Sequence, residues 1–339
     1  MTLYGGIDLH SNNSLIALLD DHDKVIFEKR VSNEITTILA HLAPYHASLV
    51  GLVVESTYNW YWLVDGLLDA GYQVHLANTA AIKQYEGLKA TNDRDDARWL
   101  AHLLRLGILP EGYIYPTEER AVRDLLRKRA QLVRQKVTQM LSIQSQWTRH
   151  TGRSLSAHRI RQLTEDDVAR ALPDRHVACA VQSNLTVLRC LEKQLPSLER
   201  LTKAQVKPKR ERALLKTVPG IGDILALTIL LETGPLTRFA TVGQFASYCR
   251  CVASQRLSNG KVKGHGNTKN GNKYLAWAFV EAANFAVRFA PQIKRFYQRK
   301  SATTHKLVAI KTVAHKLARA CYYRLRERVP VERQKAFGV

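Results

Sequence analysis

Cysteine is scarce in this chain of 339 residues, with five copies and no Cys-x-x-Cys spacing. The odd number and the missing spacing disfavour a disulfide framework and a structural zinc site, and they predict a reducing cytoplasm. No apolar run approaches the roughly 20 residues that a membrane span requires. The N-terminus also lacks a basic segment followed by a small-residue cleavage site. We therefore expect a cytoplasmic protein with no membrane partner.

Acidic residues are also few, 29 against 51 Lys and Arg, which gives a formal net charge of +22. Residues 1–110 hold 8 basic and 13 acidic residues, a net charge of −5, whereas residues 111–339 hold 43 and 16, a net charge of +27. A strongly basic region attracts polyanions, and such binding weakens as salt rises because counterions are released. We predict that residues 111–339 bind nucleic acid.

Short segments rich in Leu, Ile and Val alternate with amphipathic segments in the first third of the chain. This order predicts a mixed α/β sheet domain over residues 1–110. The predicted strands are 3–9, 14–20, 24–31, 49–54 and 72–76, and the predicted helices are 33–44, 58–70 and 93–106.

The middle of the chain predicts long helices. Residues 117–150 have a 4-3-4-3 spacing typical of a coiled-coil seam, at Leu126, Ala130, Val133, Val137, Met140, Gln144 and Trp147. A second helix over 180–204 could pair with the first within one chain or with a second copy. We expect a coiled-coil dimerisation region at 111–205 and a mostly helical, basic region at 206–339.

Four carboxylates stand out in the acidic part of the chain. Asp8 and Glu55 each end an apolar run, and Asp93 and Asp96 lie three residues apart at the start of a predicted helix, on one helix face. Four carboxylates can hold two Mg²⁺ ions about 4 Å apart, the spacing used in phosphodiester chemistry. Each residue alone could equally be a structural charge, so the prediction depends on the set.

The basic part contains candidates for phosphate contact. Ser258 precedes Asn-Gly, which places it on a turn, with Arg250, Arg256, Lys261 and Lys263 nearby. On spacing alone Ser258 is more simply a turn residue than a nucleophile, because no neighbouring base activates it. A cationic Gly/Asn-rich run that includes Lys269 and Lys273 fits a phosphate-gripping segment or a surface loop. Gly220 and Gly222 form a turn before a helix, which can present backbone N–H groups to a phosphate.

The sequence motifs of this basic part resemble those of a known family. Arg250-Cys251-Val252, then Ser258-Asn259-Gly260-Lys261 and the run 271–279, Gly-Asn-Lys-Tyr-Leu-Ala-Trp-Ala-Phe, are similar to the IS1111 subgroup of IS110-family transposases. The resemblance implies an RNase H-like (RuvC-like) DEDD domain at the N-terminus, with Asp8, Glu55, Asp93 and Asp96 as the tetrad. It also implies a C-terminal transposase domain with Ser258 as the catalytic serine and Ser254 as the other candidate.

The resemblance further implies a mechanism and partners. Family members are recombinases in which a noncoding RNA encoded by the element pairs with donor and target DNA. The serine attacks the scissile phosphate to give a phosphoserine, and Mg²⁺ on the tetrad activates it. The family assembles as dimers that pair into tetramers, with active sites that can combine residues of two copies, and it acts at the bacterial nucleoid.

Three other functions remain compatible with parts of the sequence. A RuvC-like junction nuclease would use the same metals with water as the nucleophile. An actin-like ATPase shares the RNase H core, but its Asp-x-Gly is Asp-Leu-His here, at residues 8–10. A non-enzymatic nucleic-acid scaffold would explain the charge but not the four carboxylates.

Overall fold

The computed structural model describes residues 1–82, 93–205, 210–252, 255–265 and 270–328. Contacts divide the chain into two compact units, Met1–Ile114 and Tyr115–Val339. The assignment of three functional domains stays a prediction. None of the helices in the described ranges combines the length and the hydrophobicity that crossing a bilayer requires.

The first unit is a mixed sheet with helices. Its elements are β1 Leu3–Leu9, β2 Asn13–Leu19, β3 Val25–Ser32, α1 Ile35–Leu42, a 3-10 segment Ala43–Ser48, β4 Leu49–Glu55, α2 Tyr61–Asp69, β5 Val74–Ala77 and α3 Asp93–Arg105. The strand order is β3-β2-β1-β4-β5. β1, β2 and β3 are antiparallel neighbours, whereas β4 is parallel to β1 and β5 to β4. The predicted α/β architecture of this region is confirmed.

The two faces of the sheet have different partners because side chains alternate along each strand. One face buries a large apolar cluster that includes Ile7, Leu18 and Val54 and the inner sides of α1 and α2. The opposite face is covered by α3, whose Leu100 packs with Val53 and whose Ala97 packs with residues of β2. Helices therefore cover both faces of the sheet.

Gly6 lets α3 lie directly on β1. A Cβ at this position would stand 2.0 Å from the carbonyl oxygen of Ala97 and 2.8 Å from the backbone nitrogen of Ala101. Real Cβ atoms do not approach backbone this closely, so only glycine allows the contact. The same contact places the first turn of α3 above the end of β1.

The second unit is mostly helical, as predicted. Its elements are α4 Thr117–Thr151, α5 Ala157–Gln162, α6 Glu165–Ala171, α7 Arg175–Gln205, α8 Arg210–Lys216, α9 Asp223–Thr233, a 3-10 segment Leu236–Arg238, α10 Val242–Tyr248, β6 Gln255–Ser258, β7 Lys261–His265, α11 Lys273–Phe289, α12 Pro291–Thr303 and α13 Lys306–Glu327. The β6–β7 hairpin lies in the stretch for which no strand was predicted.

The two long helices α4 and α7 pack antiparallel within the chain. Ion pairs fix the direction, because Arg129 pairs with Glu199 at 2.7 Å and Lys136 with Glu192 at 3.2 Å. Apolar side chains of both helices share one core with α5 and α6. Whether this pair is a coiled coil that makes a dimer stays a prediction.

Within the chain, Val137 of the predicted α4 seam is 46% exposed and does not belong to the core that α4 shares with α7. Its pairing with a second copy stays a prediction. Ile143, absent from the predicted seam, is fully buried between Met140 and Trp147. Positions 143 and 144 both fit a 3-4 spacing, and burying Ile143 in place of Gln144 puts the apolar side chain inside. The amide of Gln144 instead donates a hydrogen bond to the carbonyl of Leu155 at 2.7 Å.

The replacement Gly6→Ala tests the close contact between β1 and α3. The new methyl group cannot fit beside the Ala97 carbonyl, so we expect the free energy of unfolding to fall by about 2 kcal/mol or more. Gly112→Ala is the control, because its Cβ would meet no atom closer than 3.4 Å. Thermal unfolding measures both variants, and equal unfolding midpoints would contradict the packing argument.

Candidate active site

Asp8 and Glu55 meet at the carboxyl ends of two neighbouring parallel strands. Ile7 of β1 pairs with Val54 of β4, so the next residue of each strand lies at the same sheet edge. Side chains two residues apart in a strand point to the same face of the sheet. Asp8 therefore shares the face of Gly6, and Glu55 shares the face of Val53, which in both cases is the face covered by α3. Asp8 is 4% exposed.

The first turn of α3 brings two more carboxylates to this edge. Asp93 and Asp96 lie in that turn, and the contact at Gly6 holds it over Asp8. The imidazole of His10, just after β1, joins the two elements. Its Nε2 is 3.2 Å from Asp8 Oδ2 and 3.2 Å from Asp93 Oδ2. The four carboxylates singled out in the sequence thus come together.

The electrostatics of the cluster show mutual repulsion. Burial raises the pKa of Glu55 to about 7, and the hydrogen bond to Asp8 and the charges of Asp8 and Asp96 act in the same direction. Burial also raises the pKa of Asp96, and the charges of Asp8 and Asp93 add to that rise. Burial raises the pKa of Asp8 as well, although His10 and the hydrogen bond from Glu55 act in the opposite direction. Asp93 differs, since its hydrogen bond from Arg30 lowers its pKa. Below about pH 7 Glu55 therefore keeps its proton and donates a hydrogen bond to Asp8.

The residues fit a divalent cation. Asp8 Oδ2 is a buried oxygen without a hydrogen-bond donor, and the facing His10 Nε2 is likewise buried without a hydrogen bond. One atom each of Asp8, His10 and Asp93 lie within 4.8 Å of one another. Carboxylate oxygens are the ligands that hard divalent cations prefer. The donor set suits a metal that would also neutralise the repelling carboxylates.

Sequence reasoning missed His10 and Arg30. His10 could have been found from the alternation along β1, since Gly6, Asp8 and His10 follow a period of two and share a face. Arg30 reaches Asp93 from β3, two strands away from Asp8 in sequence order. No local pattern indicates that contact, because it depends on how β3 and α3 pack.

Ser258 lies at the tip of an exposed hairpin in the second unit. It is the last residue of β6 and pairs with Lys261 across the turn. Asn259 and Gly260 have φ angles of 49° and 70°, as a two-residue type I′ turn requires. Ser258, Lys261 and Lys263 are exposed. The backbone of Arg256 belongs to β6, whereas Ser254 and Lys269 lie outside the described residues.

The two ends of the segment that carries the hairpin are tied together. The backbone N–H of Asn272 donates to the Tyr248 carbonyl at 2.6 Å, and Arg250 Nε donates to the Gly271 carbonyl at 3.0 Å. These bonds make a neck, here meaning residues 248–250 and 271–272, from which the hairpin segment extends. Arg250, predicted to contact nucleic acid, therefore uses its Nε for a hydrogen bond within this neck. The amide of Asn272 also donates to Glu232 at 2.7 Å.

A buried ion pair anchors the neck to the helices. Glu232, at the end of α9, is 2% exposed and accepts two hydrogen bonds from Arg127 of α4, at 2.6 and 2.7 Å. Its Oε2 also accepts the bond from Asn272, so one carboxylate joins α4, α9 and the N-cap of α11. Lys273, the first residue of α11, is exposed.

The turn with Gly220 and Gly222 borders an open cleft of about 800 Å³. Gly220 has a φ of +84°, and a Cβ there would stand 2.1 Å from the Ala282 carbonyl of α11. Gly222 is the N-cap of α9 and has open space around it. The other cleft-lining side chains include Lys203, Lys216, Phe285 and Phe289.

Comparison with known proteins agrees with these features. Residues 5–150 match a family model for the DEDD transposase of IS110, and residues 212–298 match the model described as the transposase IS116/IS110/IS902 family. The chain belongs to the IS110 family of transposases. A transposase for insertion sequence element IS1111A from Coxiella burnetii is 23% identical over 296 residues, 84% of this chain and 77% of that protein. A protein of insertion element IS110 from Streptomyces coelicolor is 25% identical over 154 residues, 43% of this chain and 38% of that protein.

Membership confirms the predicted family and the predicted class of enzyme, a DNA transposase. The DEDD model covers the sheet unit and most of α4, and it indicates divalent-metal chemistry at a carboxylate cluster. DNA is the substrate that a transposase implies.

The pKa of Glu55 predicts a pH-dependent stability in metal-free protein. Its folded-state pKa of about 7 lies above the ordinary value of 4.5, so its contribution is present below about pH 4.5 and is lost as pH rises through 7. Glu55→Gln should remove about 1 kcal/mol of this loss, after allowance for solvent screening. Thermal unfolding in chelator at about pH 5 and pH 8 measures it, with exposed Glu34→Gln as the control. An unchanged pH dependence in Glu55→Gln would contradict the shift.

Proposed function

We propose that this transposase is an RNA-guided DNA recombinase that cuts and rejoins strands through a phosphoserine at Ser258. Two Mg²⁺ ions would be held by Asp8, Glu55, Asp93 and Asp96. The observation that carries the proposal is the carboxylate cluster around the buried Asp8, in which Asp8 Oδ2 has no hydrogen-bond donor and Glu55 retains a proton to about pH 7. Such a cluster is costly without cations.

The carboxylates act by binding and orienting. Bound divalent metal supplies positive charge that stabilises the developing charge on the scissile phosphate and activates the attacking oxygen. Asp8 and Glu55 lie on rigid strands, and Asp93 and Asp96 lie on a helix packed against those strands through backbone contact. This rigidity fixes the ligand oxygens before the substrate arrives, which lowers the reorganisation needed in the reaction.

Ser258 is the proposed nucleophile. Its hydroxyl oxygen would form a bond to the scissile phosphorus, and a deoxyribose oxygen would leave and take up the proton that the serine loses. The phosphodiester energy stays in the serine–phosphate bond, so attack by a deoxyribose hydroxyl of another strand reverses the step without ATP. The exposed position of Ser258 and the neighbouring Lys261 and Lys263 support contact with a phosphate.

Several basic residues are proposed to grip nucleic acid. Lys261, Lys263 and Lys273 are exposed in or beside the hairpin segment. Arg256 and Lys269 lie in the same stretch of the chain, residues 250–273, and are proposed to contact nucleic acid with them. The turn at Gly220 and Gly222 would contact phosphates. The cleft beside this turn contains the rings of Phe285 and Phe289, whose centroids are 6.3 Å apart and whose planes differ by 11°. Exposed aromatic rings beside cations suit unpaired bases.

The proposed partners are donor and target DNA, a noncoding guide RNA encoded by the element, and further copies of the chain. The +27 net charge of residues 111–339 supports binding of these polyanions. A dimer or tetramer would be built through the α4–α7 region. Recombination assays with and without the RNA test the guide, and sedimentation of the purified chain tests the assembly.

The second candidate is a junction nuclease in which water replaces the serine. The carboxylate cluster alone would serve that reaction equally well. The two candidates differ in one product, because only the serine route leaves protein covalently attached to DNA.

Asp93→Asn should abolish strand cleavage and recombination while leaving nucleic-acid binding intact. The change removes a ligand charge at the cluster but none of the basic surface of the second unit. Asp95→Asn is the matched control, since it removes the same charge in the same helical turn outside the quartet. Cleavage of labelled DNA measures the effect, and wild-type cleavage by Asp93→Asn would refute the metal assignment.

Ser258→Ala should eliminate both cleavage and the covalent protein–DNA adduct, because the attacking oxygen is lost. Ser254→Ala should keep both. Trapping on nicked DNA, followed by peptide mapping, identifies the attached residue. An adduct on Ser254 would move the nucleophile to that position, and cleavage without any adduct would favour the nuclease.

A further inference from the structure

His10 follows β1 and lies at the centre of the carboxylate cluster. Its Nε2 is 3.2 Å from both Asp8 Oδ2 and Asp93 Oδ2. In six-coordinate Mg²⁺ or Mn²⁺ sites with ligands at about 2.1 Å, adjacent ligand atoms stand about 3 Å apart. The two measured separations match that distance between neighbouring ligands of one ion.

Two of these three donor atoms, on Asp8 and His10, lack a hydrogen bond, whereas Asp93 Oδ2 accepts one from Arg30. Asp8 Oδ2 and His10 Nε2 are buried atoms that face each other without a hydrogen bond. The Asp8 side chain as a whole is 5% exposed. Buried polar atoms are normally paired, so two unpaired atoms aimed at one point indicate a missing ligand between them.

The backbone of His10 is held by two asparagine side chains from other loops. Its carbonyl accepts hydrogen bonds from Asn33 Nδ2 at 2.9 Å and Asn59 Nδ2 at 3.0 Å. Each asparagine is oriented in turn, because Asn33 accepts from Ser14 at 2.7 Å and Asn59 accepts from Thr57 at 2.8 Å. These bonds fix the backbone from which the imidazole of His10 extends towards Asp8 and Asp93.

We propose that His10 Nε2 is a ligand of one metal ion of this centre, between Asp8 and Asp93, with Asn33 and Asn59 as positioning residues. The inference rests on the proposed metal-dependent function and adds a nitrogen donor to an otherwise all-carboxylate set. Mg²⁺ and Ca²⁺ prefer oxygen ligands, whereas a first-row transition-metal ion such as Mn²⁺ accepts an imidazole nitrogen more readily than they do. The centre therefore binds Mn²⁺ more tightly than four carboxylates alone would.

Arg30 is a counter-charge to the carboxylate of Asp93, and its role differs from the metal-ligand role proposed for His10. Its guanidinium donates a hydrogen bond to Asp93 Oδ2 and supplies a cation there. His10 Nε2 lies beside the same oxygen but also beside the buried Oδ2 of Asp8, which Arg30 does not contact in the described ion pairs. A role for His10 as a second counter-charge is the alternative that the experiment separates.

The test is electron spin echo spectroscopy of the full chain loaded with Mn²⁺. Wild-type protein should show modulation from an imidazole nitrogen, and His10→Gln should lose it and bind Mn²⁺ about tenfold more weakly in calorimetry. His22→Gln, an exposed histidine of the same unit, is the matched control and should leave both signals unchanged. Wild-type protein grown with histidine carrying the heavy nitrogen isotope provides a variant-free check, since the modulation frequency must change.

Each outcome decides a different claim. Mn²⁺ bound to wild-type protein without imidazole modulation would overturn the ligand role of His10 and leave the carboxylate centre standing. Modulation that persists in His10→Gln would assign the nitrogen to another histidine and overturn the proposal as well. The absence of any Mn²⁺ binding would overturn both this inference and the proposed metal-dependent function.

Discussion

The backbone contact between α3 and β1 at Gly6 is the constraint on which the candidate active site depends. Ordinary side chains between packed layers hold the layers well apart, about 10 Å in the case of two stacked sheets. Here the carbonyl of Ala97 occupies the space where a Cβ of Gly6 would stand. The helix therefore lies close enough for the carboxylates of its first turn to meet Asp8, and the geometry of the cluster follows from the absence of one methyl group.

Ion pairs along α3 offset the repulsion that this approach creates. Arg94 and Arg98 both pair with Glu28 of β3, and His102 and Arg105 both contact Asp23 in the β2–β3 turn. Burial alone would raise the pKa of Asp23, but hydrogen bonds from Arg105 and His102 lower it. These contacts hold the helix along its whole length, from Arg94 in the first turn to Arg105 at the end. The repulsion that remains is among the carboxylates of the cluster, where a cation would relieve it.

The sequence allowed prediction of the elements of the first unit and of the four carboxylates, because strand ends and helix periodicity are local signals. The shared side of β1 that carries Gly6, Asp8 and His10 was also readable, although His10 was missed. The contact of Arg30 with Asp93 and the bonds of Asn33 and Asn59 to His10 join residues distant in sequence. Such contacts are set by packing, and no periodicity reports them. On α4, a 3-4 spacing admitted both Ile143 and Gln144, and only the neighbouring α7 and α5 decide which one is buried.

The second unit also has a glycine at a close backbone contact, but there the contact supports the helices that carry the Ser258 hairpin. Gly220 packs its backbone against α11, and the ion pair of Glu232 with Arg127 holds the neck from which the Ser258 hairpin extends. The strand residues of that hairpin and its turn, Gln255–His265, include no acidic side chain. The carboxylate cluster of the first unit offers oxygen ligands for a cation and carries no comparable group of exposed lysines on its ligand side chains. Under the proposed mechanism the metal ligands therefore belong to the first unit and the nucleophile to the second, so that a substitution in one unit can remove one part of the chemistry while the other unit keeps its fold.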